Sequence, residues 1–486
     1  MPSDRATPSE LAAAVESDRH EARPGFGREQ GSEDGVKIHF LGAVGTVTGS
    51  RLLIEERGTK VLVDCGLYQG LKQLRNRNRA PFPTSIKDLD GVVMTHAHID
   101  HSGYLPRLVA DGYKGEIHVS PATRRLLHIL LPDSGYLQEE WAKYANRKGF
   151  SKHKPAEPLY TKADAERVMP HLRSKAWHET FRIGNLEFRL QRAGHILGAA
   201  SVKVTGDRRT LLISGDLGRP DDPLIPPPET PGRPDWIVME STYGGRRHAE
   251  RDLEAALAEV AGRTFERGGV LLVPAFAVGR AQLILYLLEK LMSEKRLKRA
   301  PIFVNSPMAT NVTELYQQFT DDHRLTREAC HRLCAGAHFV NSVEESRELN
   351  TRKGPAVIIS ASGMLTGGRV LHHFQALAPD DKNTVLLAGY QAAGTRGDRL
   401  LRGDREIKMF GVMVPVRAEI VNIDGFSAHA DHDELISWLD RAEKPPRGVS
   451  LVHGEERAVD DLRCGIEETL RWRVHIPEYR ETLDIG

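Results

Sequence analysis

Thr95-His96-Ala97-His98-Ile99-Asp100-His101 is the stretch that decides how this chain folds. Four side chains able to hold a metal, His96, His98, Asp100 and His101, fall within six residues. They follow directly on the strand-like run Gly91-Val92-Val93-Met94, so a turn at the strand's end can aim several of them inward. Imidazole together with carboxylate suits zinc, and a catalytic zinc needs neutral histidines plus one open position for water. A polar loop with surface histidines would not need this density.

Upstream of that stretch, Val36-Lys37-Ile38-His39-Phe40, Arg51-Leu52-Leu53-Ile54 and Lys60-Val61-Leu62-Val63-Asp64 are short apolar runs separated by glycine, which predicts strands. Residues 1–35 are rich in Ser, Glu, Arg, Gly and Pro without a sustained apolar period, and a disordered arm is expected there. Downstream, residues 122–131 and 163–172 carry helical spacing, and 181–216 return to strands. Beyond the proline-rich stretch 220–234 the pattern changes. Strands at Ile237-Val238-Met239-Glu240, Val270-Leu271-Leu272-Val273 and Ile302-Phe303-Val304 alternate with helical runs at 253–265 and 281–292, and 356–360 and 384–388 extend the series. Such alternation predicts βαβ units around a parallel sheet.

A length of 486 residues exceeds the usual single core, so more than one domain is expected. Lys plus Arg (67) balance Asp plus Glu (66) to a net charge of +1, which excludes any argument from overall basicity for a polyanionic partner. A nucleic acid would have to meet a local patch. The four cysteines, Cys65, Cys330, Cys334 and Cys464, make no disulfide framework, and Cys330 and Cys334, one helical turn apart, are read as packing residues. No signal-peptide pattern or membrane-length apolar stretch is present, so a cytoplasmic protein with no membrane contact is expected.

The segment His96-x-His98-x-Asp100-His101 resembles the signature of the metallo-β-lactamase superfamily. Asp64 matches its first motif, His195 in Ala193-Gly194-His195 its third, and Asp216 in Ser214-Gly215-Asp216 its fourth. Glu240 in Met239-Glu240-Ser241-Thr242-Tyr243, His429 in Ser427-Ala428-His429 and His453 in Val452-His453-Gly454 resemble the three further motifs of the β-CASP nucleases. The similarity runs from about residue 36 to 477 and points to the short bacterial relatives of the cleavage and polyadenylation endonuclease. It implies an α/β fold: a metallo-β-lactamase αββα sandwich from 36–244 and 427–486, with a β-CASP domain, a parallel sheet flanked by helices, inserted at 245–426.

The resemblance also implies a site with two Zn2+ ions. His96, His98 and His195 would hold one, Asp100 and His101 the other with His453 completing it, while Asp216 bridges both and Asp64 orients the surroundings. A bridged zinc pair brings the pKa of a shared water near neutrality and polarises a phosphoryl oxygen, so no side-chain nucleophile is required. His429 would protonate the leaving 3′ oxygen, with Glu240 holding the imidazole in place. Histidine in the last motif is the pattern of RNA-processing members. The activity implied is endonucleolytic hydrolysis of single-stranded RNA, leaving 3′-hydroxyl and 5′-phosphate ends, by a chain that is either monomeric or a homodimer.

Candidate phosphate contacts lie in the insertion. Ser360, Ser362 and Gly363 stand in a small-residue turn between an expected strand and helix, where backbone N–H groups can approach a phosphate, and Arg369 adds charge. Arg280, at the start of a helix, is expected over the substrate channel, its alternative being a structural ion pair. The basic run Lys143, Arg147, Lys148, Lys152 and His153 is either a path for RNA or a solvated face. Asn305, Tyr136 and Asp398 depart from the residues usual in close relatives, at positions that bear on RNA affinity. Two other functions are compatible with the fold. A non-catalytic RNA-binding scaffold is disfavoured by the intact ligand set, and a small-ester or thioester hydrolase by the second domain and His429.

Overall fold

The computed structural model describes residues 35–149, 151, 153–248, 252–389, 391 and 394–486. The expected disordered arm at 1–35 therefore lies, except for Gly35, outside the described residues, as does Lys152.

Two seven-stranded sheets pack face to face. The first runs Thr482–Asp484, Lys37–Phe40, Leu52–Glu56, Thr59–Val63, Gly91–Val93, Ile117–Val119, Leu172–Ser174. The second runs Val474–His475, Gly448–Val452, Trp236–Glu240, Thr210–Ile213, Ala200–Thr205, Leu186–Arg192, Thr180–Ile183. The period-two alternation of side chains decides which residues face which layer. Val61, Val63, Val93, Val202, Trp236 and Val238 fill the space between the sheets. Leu62, Val92 and Met94 turn outward onto a layer with Leu105, Leu126 and Leu127, whereas Ile237 and Met239 turn outward onto Leu435, Trp438 and Leu462. Each large side chain so buried contributes about 1.5–3 kcal/mol.

A six-stranded sheet forms the second body, in the order His338–Phe339, Ile302–Val304, Ala356–Ser360, Val270–Pro274, Thr384–Ala388, Glu419–Ile423, with every pairing parallel. Both faces are covered, as a parallel sheet requires. Leu272, Ile358 and Leu387 pack on one side with Phe374, and Leu271, Ile359 and Leu386 on the other with Ile284 and Leu288. These are the βαβ units predicted from the alternation of the sequence.

Two expected helices differ in extent. Residues 163–172 do not form one helix: Lys162–Glu166 is helical, Met169–His171 is a 3-10 turn and a strand starts at Leu172. Pro170 lacks an N–H and disfavours the α conformation in the residue before it, which ends the helix early. The helix expected at 122–131 instead runs Pro121–Lys148, through Pro132, from a Ser120 cap whose hydroxyl oxygen accepts the Thr123 N–H to Gly149 at φ +66°. Its last turns carry the basic run, where Lys143 pairs with Glu140 at 2.8 Å and the Arg147 guanidinium lies over the Tyr144 ring.

Candidate metal centre

Parallel pairing brings the site together. Thr59–Val63 pairs with Gly91–Val93 (Val63 opposite Val93), so Asp64 and the Thr95–His101 turn leave the first sheet side by side. In the second sheet Thr210–Ile213, Trp236–Glu240 and Gly448–Val452 are parallel neighbours, which puts Asp216, Glu240 and His453 at one edge. His195 comes from the connection between Leu186–Arg192 and Ala200–Thr205. His429 follows the turn that leaves the last strand of the six-stranded sheet.

Seven donors converge in two sets. In the first, His98 Nδ1 stands 3.2 Å from His96 Nε2 and 3.1 Å from His195 Nε2, while Asp216 Oδ2 lies 3.4 Å from His96 Nε2 and 3.6 Å from His195 Nε2. In the second, His101 Nε2 lies 3.1 Å from both His453 Nε2 and Asp216 Oδ1, and His453 Nε2 lies 3.5 Å from Asp100 Oδ2. The two carboxylate oxygens of Asp216 thus face different sets. Its Oδ1 is buried and, apart from the ion-pair contact with His101, has no hydrogen-bond partner among the described residues.

The histidines are aimed by their other ring nitrogens. His96 Nδ1–H donates to Thr95 Oγ1 at 3.0 Å, His195 Nδ1–H to the Ala428 carbonyl at 3.2 Å, and His453 Nδ1–H to Thr242 Oγ1 at 3.1 Å. His101 Nδ1–H donates to Asp64 Oδ2 at 2.7 Å, and Asp64 also takes the Thr95 N–H at 2.8 Å and the Thr95 hydroxyl at 2.7 Å. With those nitrogens committed, the Nε2 lone pairs of His96 and His195 point into one shared space, an arrangement that repels itself unless a cation fills it. Burial, reinforced by neighbouring histidines, holds His96 and His195 well below the usual imidazole range and His98 down at about 4, so all three stay neutral. Burial also opposes charge on His101, but the Asp216 and Asp64 carboxylates outweigh it and hold that ring well above its usual range. Cys65, next to Asp64, is not among the converging donors, and burial pushes its thiol up to about 12.

Beside the donors, His429 Nδ1–H reaches Glu240 Oε1 at 3.0 Å and Oε2 at 3.2 Å. Glu240 is sealed from water and takes two further N–H groups, from Leu217 at 2.7 Å and Thr242 at 3.2 Å. Burial disfavours charge on His429, but the Glu240 carboxylate outweighs it and raises the imidazole above its ordinary range. The ring centroid lies 4.5 Å from that of His195 and 6.1 Å from that of Tyr243, to which it is roughly parallel.

All seven expected ligands, with Asp64, Glu240 and His429, are therefore brought together. The expected phosphate contacts fare differently. Ser360 is buried and its hydroxyl donates to the Asn305 carbonyl at 3.0 Å. Arg369 donates to Asn305 Oδ1 at 2.8 Å and to the carbonyls of Val340 and Asn341. The Ser360 hydroxyl and both terminal nitrogens of Arg369 are thus engaged inside the domain. Ser362 shares a hydrogen bond with Thr366, and Gly363 is a close-approach residue, where a Cβ would come within 3.0 Å of the Phe276 ring. Asp398 is local too: its carboxylate accepts from the Gly394 N–H and from Arg402. Arg280 lies buried at the start of its helix. Thr95, Thr242 and Ala428, which aim the ligands, were given no role from sequence; only their adjacency to His96, Glu240 and His429 marked them.

A two-sheet sandwich with histidine and aspartate donors gathered at one edge defines a metal-dependent hydrolase of the metallo-β-lactamase type. Comparison with known proteins agrees. Residues 44–258 match the metallo-beta-lactamase superfamily, 281–400 the Beta-Casp domain, and 413–477 the Zn-dependent metallo-hydrolase RNA specificity domain. Ribonuclease TTHA0252 of Thermus thermophilus is 38% identical over 429 residues, 87% of this chain and 94% of the relative. Transcription termination factor FttA of Thermococcus kodakarensis is 34% identical over 89% of this chain and 69% of its own length, and that of Methanocaldococcus jannaschii 30% identical over 91% and 70%. A crystal structure of a protein of unknown function from Enterococcus faecalis shares the fold, with a TM-score of 0.54 at 14% identity, over 93% of this chain and 100% of its own. The chain belongs to the β-CASP ribonuclease family of the metallo-β-lactamase superfamily.

Proposed function

We propose that this chain is a zinc-dependent endoribonuclease that hydrolyses single-stranded RNA in the cytoplasm, leaving 3′-hydroxyl and 5′-phosphate ends, with two Zn2+ ions at the centre described above. The observation that carries this reading is the pair of donor sets sharing Asp216, with the His429–Glu240 pair alongside. The donor separations of 3.1–3.6 Å suit the metal, because a tetrahedron with zinc–nitrogen arms of about 2.0–2.1 Å has edges of about 3.3 Å. His96, His98, His195 and Asp216 would hold one ion, and Asp100, His101, His453 and Asp216 the other.

When bound, the metal pair supplies Lewis acidity toward a phosphoryl oxygen and activates water. The chain's own groups do the rest. Glu240 fixes His429 with its proton on Nδ1, which leaves Nε2 to carry the proton that the departing 3′ oxygen needs. A buried carboxylate behind the ring stabilises the charged imidazole before it gives that proton up. Thr95, Asp64, Thr242 and the Ala428 carbonyl hold the ligand tautomers throughout. RNA as substrate is supported by the match to an RNA specificity domain and by the ribonuclease among the relatives. A thioester, which expels a thiolate far better stabilised than a ribose 3′ alkoxide, would gain little from His429.

The test is cleavage of end-labelled RNA by zinc-loaded protein with both product ends mapped, with His429→Ala alongside. Internal cuts leaving 3′-hydroxyl ends, much slower in the variant, are expected. A zinc-replete protein that cuts no RNA yet turns over a thioester would overturn the proposal.

A further inference from the structure

The six-stranded sheet is entirely parallel, so all its carboxyl ends lie along one edge. Val270–Pro274 lies between Ala356–Ser360 on one flank and Thr384–Ala388 on the other. After Ala356–Ser360 the chain crosses to that other flank, which makes the end of Val270–Pro274 a switch point, where open α/β sheets form a crevice for ligands. The helix Arg280–Ser293 starts at this crevice, so its N-terminus and its first side chain both lie there.

Arg280 is only 7% exposed, and its Nε and Nη1 have no hydrogen-bond partner among the described residues. The carboxylate it senses, Asp222, spends Oδ1 on the N–H groups of Leu224 and Ile225 and forms no ion pair with it. Burial pulls the guanidinium down to about 10, which leaves it cationic at neutral pH. Space is kept beside it. A Cβ added at Gly389 would stand 3.7 Å from Arg280 Nη2 and 3.7 Å from the Phe426 carbonyl oxygen, so the glycine leaves a gap between them.

The surroundings belong to the catalytic centre. Phe426 closes the turn three residues before His429. Tyr243, which Arg280 senses electrostatically, faces the His429 ring, and a Cβ at Gly279 would stand 3.1 Å from Ile196, the neighbour of the ligand His195. A guanidinium with unspent donors at a helix N-terminus is suited to phosphate oxygens. We propose that Arg280 forms the floor of a pocket for a phosphodiester of the bound strand adjacent to the one being cut. The proposal rests on the ribonuclease reading and adds to it a subsite built by the inserted domain.

The experiment compares zinc-loaded parent, Arg280→Met and Arg280→Lys on two RNAs: a dinucleotide that offers only the scissile phosphate, and a short oligonucleotide with phosphates on both sides. For Arg280→Met, KM for the oligonucleotide is expected to rise about 10- to 100-fold, the equivalent of a charged hydrogen bond lost, while the dinucleotide keeps its KM. The salt dependence of oligonucleotide binding should lose about one unit of slope, and Arg280→Lys should recover part of the affinity. Removing an unpartnered buried cation should leave Tm unchanged or raised. A lowered Tm with KM unchanged on both RNAs would make Arg280 a structural residue and overturn the proposal, as would an equal rise in KM on both. If Arg280→Met leaves RNA binding alone but abolishes a thermal shift given by inorganic phosphate, the pocket takes a free anion and not a strand, and the proposal fails. Should the parent cut no RNA, the ribonuclease reading falls, and binding of the labelled oligonucleotide decides the pocket separately: loss in Arg280→Met supports it, equal binding refutes it.

Discussion

Glu240 is held by groups from three parts of the chain, the N–H of Leu217, the N–H of Thr242 and the ring of His429. If it positions the acid, replacing His429 by alanine should lower kcat about 10²–10⁴-fold with zinc content unchanged. Glu240→Gln should lose a smaller part of the same factor, and the double variant should be no slower than His429→Ala alone, because the two act as one unit. Steady-state kinetics beside metal analysis check this; a double variant slowed by the product of both factors would separate their roles. Asp64 acts one bond further from the metal, through His101. Asp64→Asn should weaken zinc affinity about 10- to 100-fold, read by competition with a chromophoric chelator, and unchanged affinity would remove its orienting part. At this scale the donors were legible, because imidazole and carboxylate declare their chemistry by identity and spacing. Thr242 and Ala428 were not, since one works through a common hydroxyl and the other through a backbone carbonyl that every residue owns.

Between elements, the departure at Asn305 finds its explanation. Arg369 donates to Asn305 Oδ1, which turns the amide so that Nδ2 donates to His373 Nε2 at 2.6 Å and to Ser346 Oγ at 2.7 Å, while His373 Nδ1–H donates to Asn350 Oδ1. This pins the helices Val343–Leu349 and Val370–Leu377 to the end of Ile302–Val304 around a neutral imidazole. Burial lowers His373 from its ordinary 6.5 to about 4. The unfolded chain therefore takes a proton below about 6.5 that the fold refuses until about 4, so this site's stability is fully present above the upper value and is lost as pH falls between the two. The slope should approach about 1.4 kcal/mol per pH unit, and urea unfolding of His373→Gln across that window should show a correspondingly flatter loss than the parent. A glycine-rich turn reads alike whether its hydrogen bonds go to a ligand or into the domain, which is why the internal bonds of Ser360 and Arg369 were not legible in the sequence. Pro170, by contrast, was a visible stop that the apolar spacing of 163–172 obscured.

For the molecule as a whole, the centre takes ligands from 96–216 and from His453, on either side of the six-stranded sheet in the sequence. Metal binding should therefore stabilise the sandwich globally. With zinc at about a thousand times its Kd, linkage contributes about 4 kcal/mol, on the order of 5–10 °C in Tm. Calorimetry with chelator, and then with zinc restored, should show that loss and its recovery; a Tm indifferent to chelation would mean that the donors hold no ion. The parallel sheet was legible from alternating strands and helices, but the strand orders were not. Which strands become neighbours depends on long-range pairing that no local pattern records.

One such pairing has a consequence for biosynthesis. Lys37–Phe40, at the start of the described fold, pairs antiparallel with Thr482–Asp484, register Lys37 opposite Asp484. A ribosome making this chain exposes the early strand hundreds of codons before its partner exists, and His453 also arrives late. Until residue 484 has left the exit tunnel, Lys37–Phe40 lacks its partner on that flank, so the first sheet is completed only after every other strand of the sandwich has been synthesised.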